Sequence, residues 1–392
     1  MVSFLIAIIY VAFISLGLPD SMLGAAWPIM HGEIGADLSY AGIITMIISV
    51  GTIVSSLLSD RLTRKFSAGM VTAVSTLIMA VAIFGFSIGG SFIELCIWSI
   101  PYGLGAGAID AALNNFVALH YNSRTMSWLH CFWGLGATIS PYIMGYCITG
   151  GFGWRNGYFS VSIIQAAIAG LLFFSLPLWK RKAAENADTN ESDASKKPLG
   201  ISGAMKLKGI LPLLIAFFAY CAVEQTAMLW SASYLVENRG IEADAAAKFS
   251  SFFLIGITVG RFLSGIVADR LGDKALIRLG TYIVIFGTLL VLIPISSTVA
   301  LIGLIIIGFG CAPIYPSIIH STPDNFGKEN SQAIIGIQMA AAYMGITFMP
   351  MLFGFIASVT DIAVFPLYLL VITVFMLIMI ERLNSIMKAK SE

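Results

Sequence analysis

Ser56-Leu-Leu-Ser-Asp60-Arg61-Leu-Thr-Arg64-Lys65 has an echo in Gly265-Ile-Val-Ala-Asp269-Arg270-Leu-Gly272-Asp-Lys274. The shared Asp-Arg-Leu returns after 209 residues. A second, unrelated pattern has the same offset: Gly136, Pro141 and Gly145 return as Gly345, Pro350 and Gly354. Two independent patterns with one offset point to a duplicated unit that fills about half of the 392-residue chain.

Each Asp-Arg-Leu follows a long apolar run. Hydrophobic residues make up 58% of the chain and charged residues 11%, whereas a soluble domain carries about 25% charged. A soluble fold of this size has no means of hiding so much apolar surface, because much of any folded surface stays exposed. A bilayer removes that difficulty by being the solvent. A membrane helix needs about 20 mostly apolar residues, and twelve runs qualify. They are 3–30, 38–59, 68–88, 92–119, 126–149 and 157–178, then 210–236, 247–268, 276–295, 300–319, 332–358 and 362–380. All are continuously apolar, without the alternation of a membrane β-barrel. The expectation is an all-α membrane protein with twelve transmembrane helices in two pseudo-symmetric six-helix bundles, 1–179 and 209–392. Repeats in parallel orientation suit halves with an even number of spans. Between them, 180–208 is the one long polar stretch. It opens with Lys180-Arg181-Lys182 and reads as a flexible cytoplasmic linker, with room for a short helix on the membrane surface. The first run starts almost at Met1, lacks a basic leader and outlasts a signal peptide's apolar core, so it reads as a retained span.

Basic residues orient the chain. With both termini in the cytoplasm, 18 of the 22 Lys and Arg fall on the cytoplasmic side. Three (Arg155, Arg239, Lys248) fall outside, and Arg261 falls within a span. The expected location is the cell membrane, multi-pass, and the fold needs no second copy, so the chain is expected to work as a monomer. A net charge of +1 with cations scattered through short loops argues against a nucleic-acid partner. Cys96, Cys131, Cys147, Cys221 and Cys311 lie in apolar segments without a CxxC pair and read as small buried hydrophobes. Neither HExxH nor GxSxG occurs, and His31, His120, His130 and His320 are scattered, so an enzyme is not expected. No cofactor is expected, only a coupling ion.

Carboxylates inside spans are costly and usually face a cavity. Three stand out: Asp20 in Gly17-Leu-Pro-Asp20, Asp110 in Gly107-Ala-Ile-Asp110, and Glu224 in Tyr220-Cys-Ala-Val-Glu224-Gln225. Helical spacing puts Gly103, Gly107, Asp110 and Asn114 on one stripe, and Gly17, Asp20, Gly24 and Trp27 on another. Tyr220, Glu224 and Ser231 align in the seventh span; His130, Gly134, Ala137 and Pro141 align in the fifth. These stripes are small and polar, as for helices lining a crevice. A carboxyl in a low-dielectric site holds its proton to higher pH and exchanges it near neutrality, so Asp20 and Asp110 are read as proton-coupling residues. A structural hydrogen bond or ion pair is the alternative for each, and sodium is the rival ion, since carboxylates with amide and carbonyl oxygens also suit a hard cation. Asn114, Asn115, Glu224, Gln225 and Gln338 are hydrogen-bonding candidates for a polyol-like solute, with Tyr220 on the Glu224 stripe. His130 is either a ligand contact or a fixed hydrogen-bonded residue. Arg261 either pairs with a carboxylate or seals the cytoplasmic end. Trp27, Trp133 and Trp230 offer flat faces to a sugar ring or anchor the lipid interface. Prolines 19, 28, 101, 141, 313, 316 and 350 interrupt spans and suit helices that rock.

The stretch from Ser56 to Lys65 resembles the major facilitator signature GxxxDRxGRR between helices 2 and 3, with Ser56 and Thr63 in place of glycines; Gly265–Lys274 resembles its echo between helices 8 and 9. The resemblance implies the major facilitator fold. It also implies a gating role for Asp60, Arg61, Arg64, Asp269 and Arg270, against which stands a plain positive-inside loop with local ion pairs. The carboxylates of the first and fourth spans, His130-Cys-Phe-Trp133-Gly134-Leu-Gly136 and the Glu224 segment make the chain most similar to the fucose permease branch and its sodium–glucose-like relatives. That implies a secondary active transporter taking up a sugar or similar small polar solute with protons. The alternatives are sodium-coupled symport and a proton-driven drug or metabolite exporter. For the exporter, the fifth-span Gly-Pro motif is partial, because Ser140-Pro141 stands in its place. Alternating access about a midplane site lined by spans 1, 4, 7 and 10 is the expected mechanism.

Overall fold

A computed structural model describes residues 2–187 and 199–391. Part of the sequence-read linker, 188–198, lies outside the described residues. The described chain is helical throughout. Its helices are α1 (Val2–Gly17), α2 (Met22–Glu33), α3 (Ala41–Phe66), α4 (Ala68–Ile88), α5 (Phe92–His120), α6 (Ser123–Thr149) and α7 (Gly153–Ala187), then α8 (Gly200–Ala204), α9 (Ile210–Glu237) and α10 (Ala243–Leu271). They continue with α11 (Asp273–Leu292), α12 (Ser297–Cys311), α13 (Ile314–His320), α14 (Thr322–Phe326), α15 (Lys328–Val359) and α16 (Phe365–Ser391). Two compact units emerge: Met1–His120 with Leu129–Pro198, and Tyr121–Trp128 with Leu199–Glu392.

Among the described residues, eleven helical stretches are long and apolar enough to cross a membrane. The twelfth, α6, is 27 residues long, but Ser127, His130, Thr138 and Ser140 along it dilute its hydropathy. Two sequence-read spans are broken. Span 3–30 divides into α1 and α2 around Pro19, and span 300–319 divides into α12 and α13 around Pro313. In both, the proline removes a main-chain donor and its ring crowds the preceding turn. The α1–α2 break also dissolves the expected Gly17–Trp27 stripe, because a 3.6-residue spacing does not run through it. In contrast, α7 outruns its apolar stretch by nine residues, to Ala187. Ala183, Ala184 and Glu185 are good helix formers, and Arg181 reaches Glu185 one turn on at 3.5 Å.

Within the first unit α3 packs along α5, and α4 packs along α5 and α7. In the second, α9 packs on α15 and α16, and α12 on α10 and α11. Glycine sets these contacts. A Cβ on Gly103 would meet the Ile48 carbonyl at 2.3 Å, and one on Gly107 the Thr52 carbonyl at 2.2 Å. With no side chain in the way the backbones of α3 and α5 touch, and Thr52 and Ser56 donate across to the Gly103 and Gly107 carbonyls at 3.2 Å. Close backbone approach of this kind is how helices associate where lipid supplies no hydrophobic drive.

The repeated glycines now have a reason. Gly136 lies against the Ile14 carbonyl, where a Cβ would stand at 2.2 Å. Gly345 lies against the Phe218 carbonyl, with a Cβ at 2.6 Å. The same glycine thus seats α6 on α1 and α15 on α9. The third pair diverges: Gly354 abuts the Trp230 ring, whereas nothing lies within 4 Å of a Cβ on Gly145.

Candidate functional site

The first unit gathers its polar residues at the α1–α2 break, on α5 and on α6. Asp20 sits in the break and remains exposed. Its carboxylate accepts from the Tyr102 hydroxyl at 3.0 Å and from the Trp133 indole N–H at 2.9 Å. The glycine at 17 lets α6 approach so closely that a Cβ there would be 2.2 Å from the Trp133 carbonyl. The residue that allows the approach and the indole that uses it therefore belong to one contact.

Asp110 is buried on α5. Asn114, one turn on, donates Nδ2 to the Asp110 Oδ1 at 2.7 Å. With that end donating, the Asn114 Oδ1 accepts, and His130 Nε2 stands 3.0 Å from it. The result is a buried hydrogen-bonded chain from imidazole through amide to carboxylate, with Phe13 edge-on to the His130 ring. The same two helices, α5 and α6, serve both carboxylates: Tyr102 and Trp133 reach Asp20, and Asn114 and His130 form the chain to Asp110. Among the described residues, no cation lies within ion-pair distance of either. Tyr102, Trp133 and Asn114 satisfy lone pairs without neutralising charge.

The second unit holds Glu224 differently. Arg261 of α10 donates Nη2 to the Glu224 Oε1 at 3.3 Å, and the arginine is buried. Tyr220 flanks the pair, with Tyr315 of α13 packed on Tyr220 (5.9 Å between centroids) and on Phe217 (4.7 Å). Deeper in this unit, Gln338 accepts from Thr322 at 3.1 Å, and its amide nitrogen is buried without a hydrogen-bond partner.

The structure thus brings together Asp20 with Trp133, and Asp110 with Asn114 and His130, all on the first unit. It brings Tyr220 together with Glu224 on the second. Asn115 is buried beside Asn114, and Gln225 is half-buried beside Glu224. Trp27 does not join them: it is buried in an apolar cluster with Met22, Met30 and Trp154, and its indole donates to the Leu38 carbonyl at 2.7 Å. Tyr102 and Tyr315 were missed by sequence reasoning. A signal for Tyr315 exists in a second internal repeat. Gly103-Leu-Gly105-Ala-Gly107-Ala-Ile-Asp110 matches Gly308-Phe-Gly310-Cys-Ala312-Pro-Ile-Tyr315, putting Tyr315 where the first unit has Asp110. Tyr102 lies two turns before Asp110, on its side of α5.

The two Asp-Arg-Leu copies also part ways. Asp60 is buried and closed by its own helix, with Arg64 Nη2 2.6 Å from its carboxylate. Asp269 is exposed and takes Arg124 at 3.0 Å and Asn122 at 3.0 Å, both from the Tyr121–Trp128 segment of the same unit. Arg61 and Arg270 are exposed. Beside this, Asp273 accepts from Ser123 at 2.6 Å and from His320 at 2.6 Å.

Known proteins place this architecture. The chain is 24% identical to Bypass of stop codon protein 6 of Saccharomyces cerevisiae, over 91% of this chain and 78% of that protein. Its fold is similar to a variant of the Escherichia coli fucose:proton symporter FucP, with a TM-score of 0.77, 16% identity, and coverage of 96% of this chain and 98% of that one. It is comparably similar to the proton:xylose symporter XylE bound to 6-bromo-6-deoxy-D-glucose, with a TM-score of 0.79, 11% identity, and coverage of 96% and 94%. The profile described as Major Facilitator Superfamily matches residues 9–350. With that profile running through both copies of the repeat, the chain belongs to the Major Facilitator Superfamily and is a membrane transporter.

Proposed function

We propose that the chain is a proton-coupled symporter for a sugar or similar small polar solute, working by alternating access of the bodies 1–179 and 209–392 about the 180–208 linker. One observation carries this reading: Asp20 and Asp110 are held by neutral donors, and no cation among the described residues lies within ion-pair distance of either. Asp110 is buried, and a buried carboxylate without a counter-ion is costly in a membrane interior. A proton is the smallest group that removes the cost, and the Asn114 amide, bridged to His130, holds Asp110 in place without a charge of its own. On the first unit Tyr102, Trp133, Asn114 and His130, and on the second Glu224, Arg261 and Tyr220, each offer the mixture of aromatic faces and hydrogen-bonding atoms that a polyol requires. Fold kinship with a fucose:proton and a proton:xylose symporter supports the same solute class. In this reading, Asp60, Arg61, Arg64, Asp269 and Arg270 steady one access state. The chain acts as a monomer in the cell membrane with both termini in the cytoplasm.

The test is uptake into proteoliposomes with an imposed pH gradient. Labelled fucose, xylose or glucose is expected to accumulate when the outside is acid, and to do so without sodium. Accumulation that needs sodium and ignores pH transfers the coupling to sodium. Drug extrusion without hexose uptake defeats the symport reading.

A further inference from the structure

The α1–α2 break poses a hydrogen-bonding problem. In an α-helix the Ser15 carbonyl accepts from the N–H of residue 19, and residue 19 is Pro, which has none. The carbonyl is buried with Ser15 in the interior of the unit, where an unmet acceptor is costly. The donor comes from a different helix: Gln165 of α7 places Nε2 2.5 Å from the Ser15 oxygen. Gln165 is itself fully buried. Only the donating end of its amide is engaged, the amide oxygen having no partner.

The turn beyond follows from this. Leu18 N–H still reaches the Ile14 carbonyl at 2.9 Å. Asp20 N–H then reaches Gly17 at 3.2 Å, and Met22 N–H reaches Pro19 at 3.1 Å. These are i→i+3 bonds, which tighten the chain into a turn. Asp20 leaves from that turn, with Tyr102 and Trp133 facing it. Gln165 fixes one side of the break, and the close pass of α6 at Gly17 fixes the other.

We propose that Gln165 is a positioning residue of the carboxylate site: its side-chain amide stands in for the main-chain donor that Pro19 lacks, and so sets the direction in which Asp20 projects toward Tyr102 and Trp133. Its consequence for coupling rests on the proposed proton exchange at Asp20; its geometric role does not. Gln165 touches neither solute nor proton. It acts through the Ser15 carbonyl.

The experiment uses the purified full chain and two readouts. The first is labelling of Asp20 by a lipid-soluble carbodiimide, which reacts with protonated carboxyls, followed against pH by peptide mass spectrometry. The second is hydrogen–deuterium exchange of the 17–22 segment. Gln165→Leu is expected to move the half-labelling pH of Asp20 by about one unit, a tenfold change in proton affinity, and to speed exchange in the break while α7 stays protected. Gln165→Asn, one methylene short, is expected to do the same to a smaller extent. Pro19→Ala restores a main-chain donor, so in that background Gln165→Leu should change neither readout further. Unchanged exchange and labelling in Gln165→Leu overturns the proposal, as does an effect that adds in full to that of Pro19→Ala. Should Gln165→Leu not fold, recovery of folded protein in the double variant supports the proposal, and failure to recover overturns it. If Asp20 resists labelling at every pH, the proton reading falls and exchange alone judges Gln165.

Discussion

At the scale of single residues, the two units solve the same electrostatic problem by different means. Glu224 has a guanidinium; Asp20 and Asp110 have only neutral donors. The consequences of removing charge therefore differ. Asp110→Asn keeps the hydrogen-bonding shape but carries no exchangeable proton. It is expected to abolish accumulation driven by a pH gradient while leaving solute exchange between equal pools intact, as read in proteoliposomes; gradient-driven accumulation in this variant removes Asp110 from the coupling role. Glu224→Gln leaves a buried Arg261 unbalanced and should destabilise by about 3–5 kcal/mol. Removing both charges as Glu224→Gln with Arg261→Met should recover most of that loss, and thermal melting in detergent distinguishes the two. A smaller effect belongs to Ser67, which joins α3 to α4 at φ 71° and ψ 155°, where its counterpart between α10 and α11 is Gly272 at φ 75°. That region is essentially glycine's alone, so Ser67→Gly should stabilise by about 1 kcal/mol. The sequence made Asp20, Asp110 and Glu224 conspicuous because charge is rare within apolar runs. Tyr102, Tyr315 and Gln165 stayed hidden because neutral polar residues are common there, and their meaning lies in contacts between helices far apart in the chain.

At the scale of helices, glycine placement divides into positions that hold backbones together and positions that do not. Gly136→Ala would force a methyl to 2.2 Å from the Ile14 carbonyl. The displacement of α1 that follows is expected to cost about 1–3 kcal/mol and to disturb Asp20, six residues further along. Gly145→Ala enters open space and gains helix propensity of about 1 kcal/mol. Opposite signs for the two alanines, read as melting temperatures, are the expected result; equal losses would mean that the close pass of α1 and α6 is not what Gly136 provides. Periodicity showed where these helices run, and the 209-residue offset showed which glycines correspond. Neither showed that Gly145 and Gly354 had diverged, because that depends on Trp230 standing opposite only the second. The offset itself drifts for a physical reason. α3 continues one turn beyond its Asp-Arg-Leu, through Thr63–Phe66, while α10 ends at Leu271. The shift to 205 residues for the Gly103 and Gly308 stretches records that extra turn, and it also buries Asp60 within reach of Arg64 while leaving Asp269 exposed at its helix end.

For the whole molecule, the question left by composition is direction: which face of the membrane each loop occupies. The charge argument is statistical, resting on 18 of 22 basic residues sharing one side. The structure supplies positions at which to test it. Glu185 near the end of α7 and Asp361 between α15 and α16 are both exposed, and the proposed topology puts them on opposite faces. In a background with the five native cysteines replaced, Asp361→Cys in intact cells should react with a membrane-impermeant maleimide, whereas Glu185→Cys should react only after permeabilisation. The reverse pattern would invert every loop, put the Lys180-Arg181-Lys182 cluster outside, and turn inward proton flow into outward flow for the same carboxylates. Labelling of both in intact cells would mean an even number of crossings between them, where the proposed topology has an odd one. Both positions lie beyond α6, so a third cysteine at Ser91, part-exposed between α4 and α5, extends the test to it. Reaction of Ser91→Cys with the impermeant reagent in the cells where Glu185→Cys stays silent requires an odd number of crossings by α5, α6 and α7, which a crossing α6 supplies. Its 27 residues are long enough to cross, while its polar side sets it apart from the eleven strongly apolar stretches. α6 also carries His130, which reaches Asn114, and Trp133, which reaches Asp20, so the helix with the weak membrane signal is one that builds the site. The labelling pattern therefore tests the site as well as the topology, since a crossing α6 is what brings both side chains to Asp20 and Asn114.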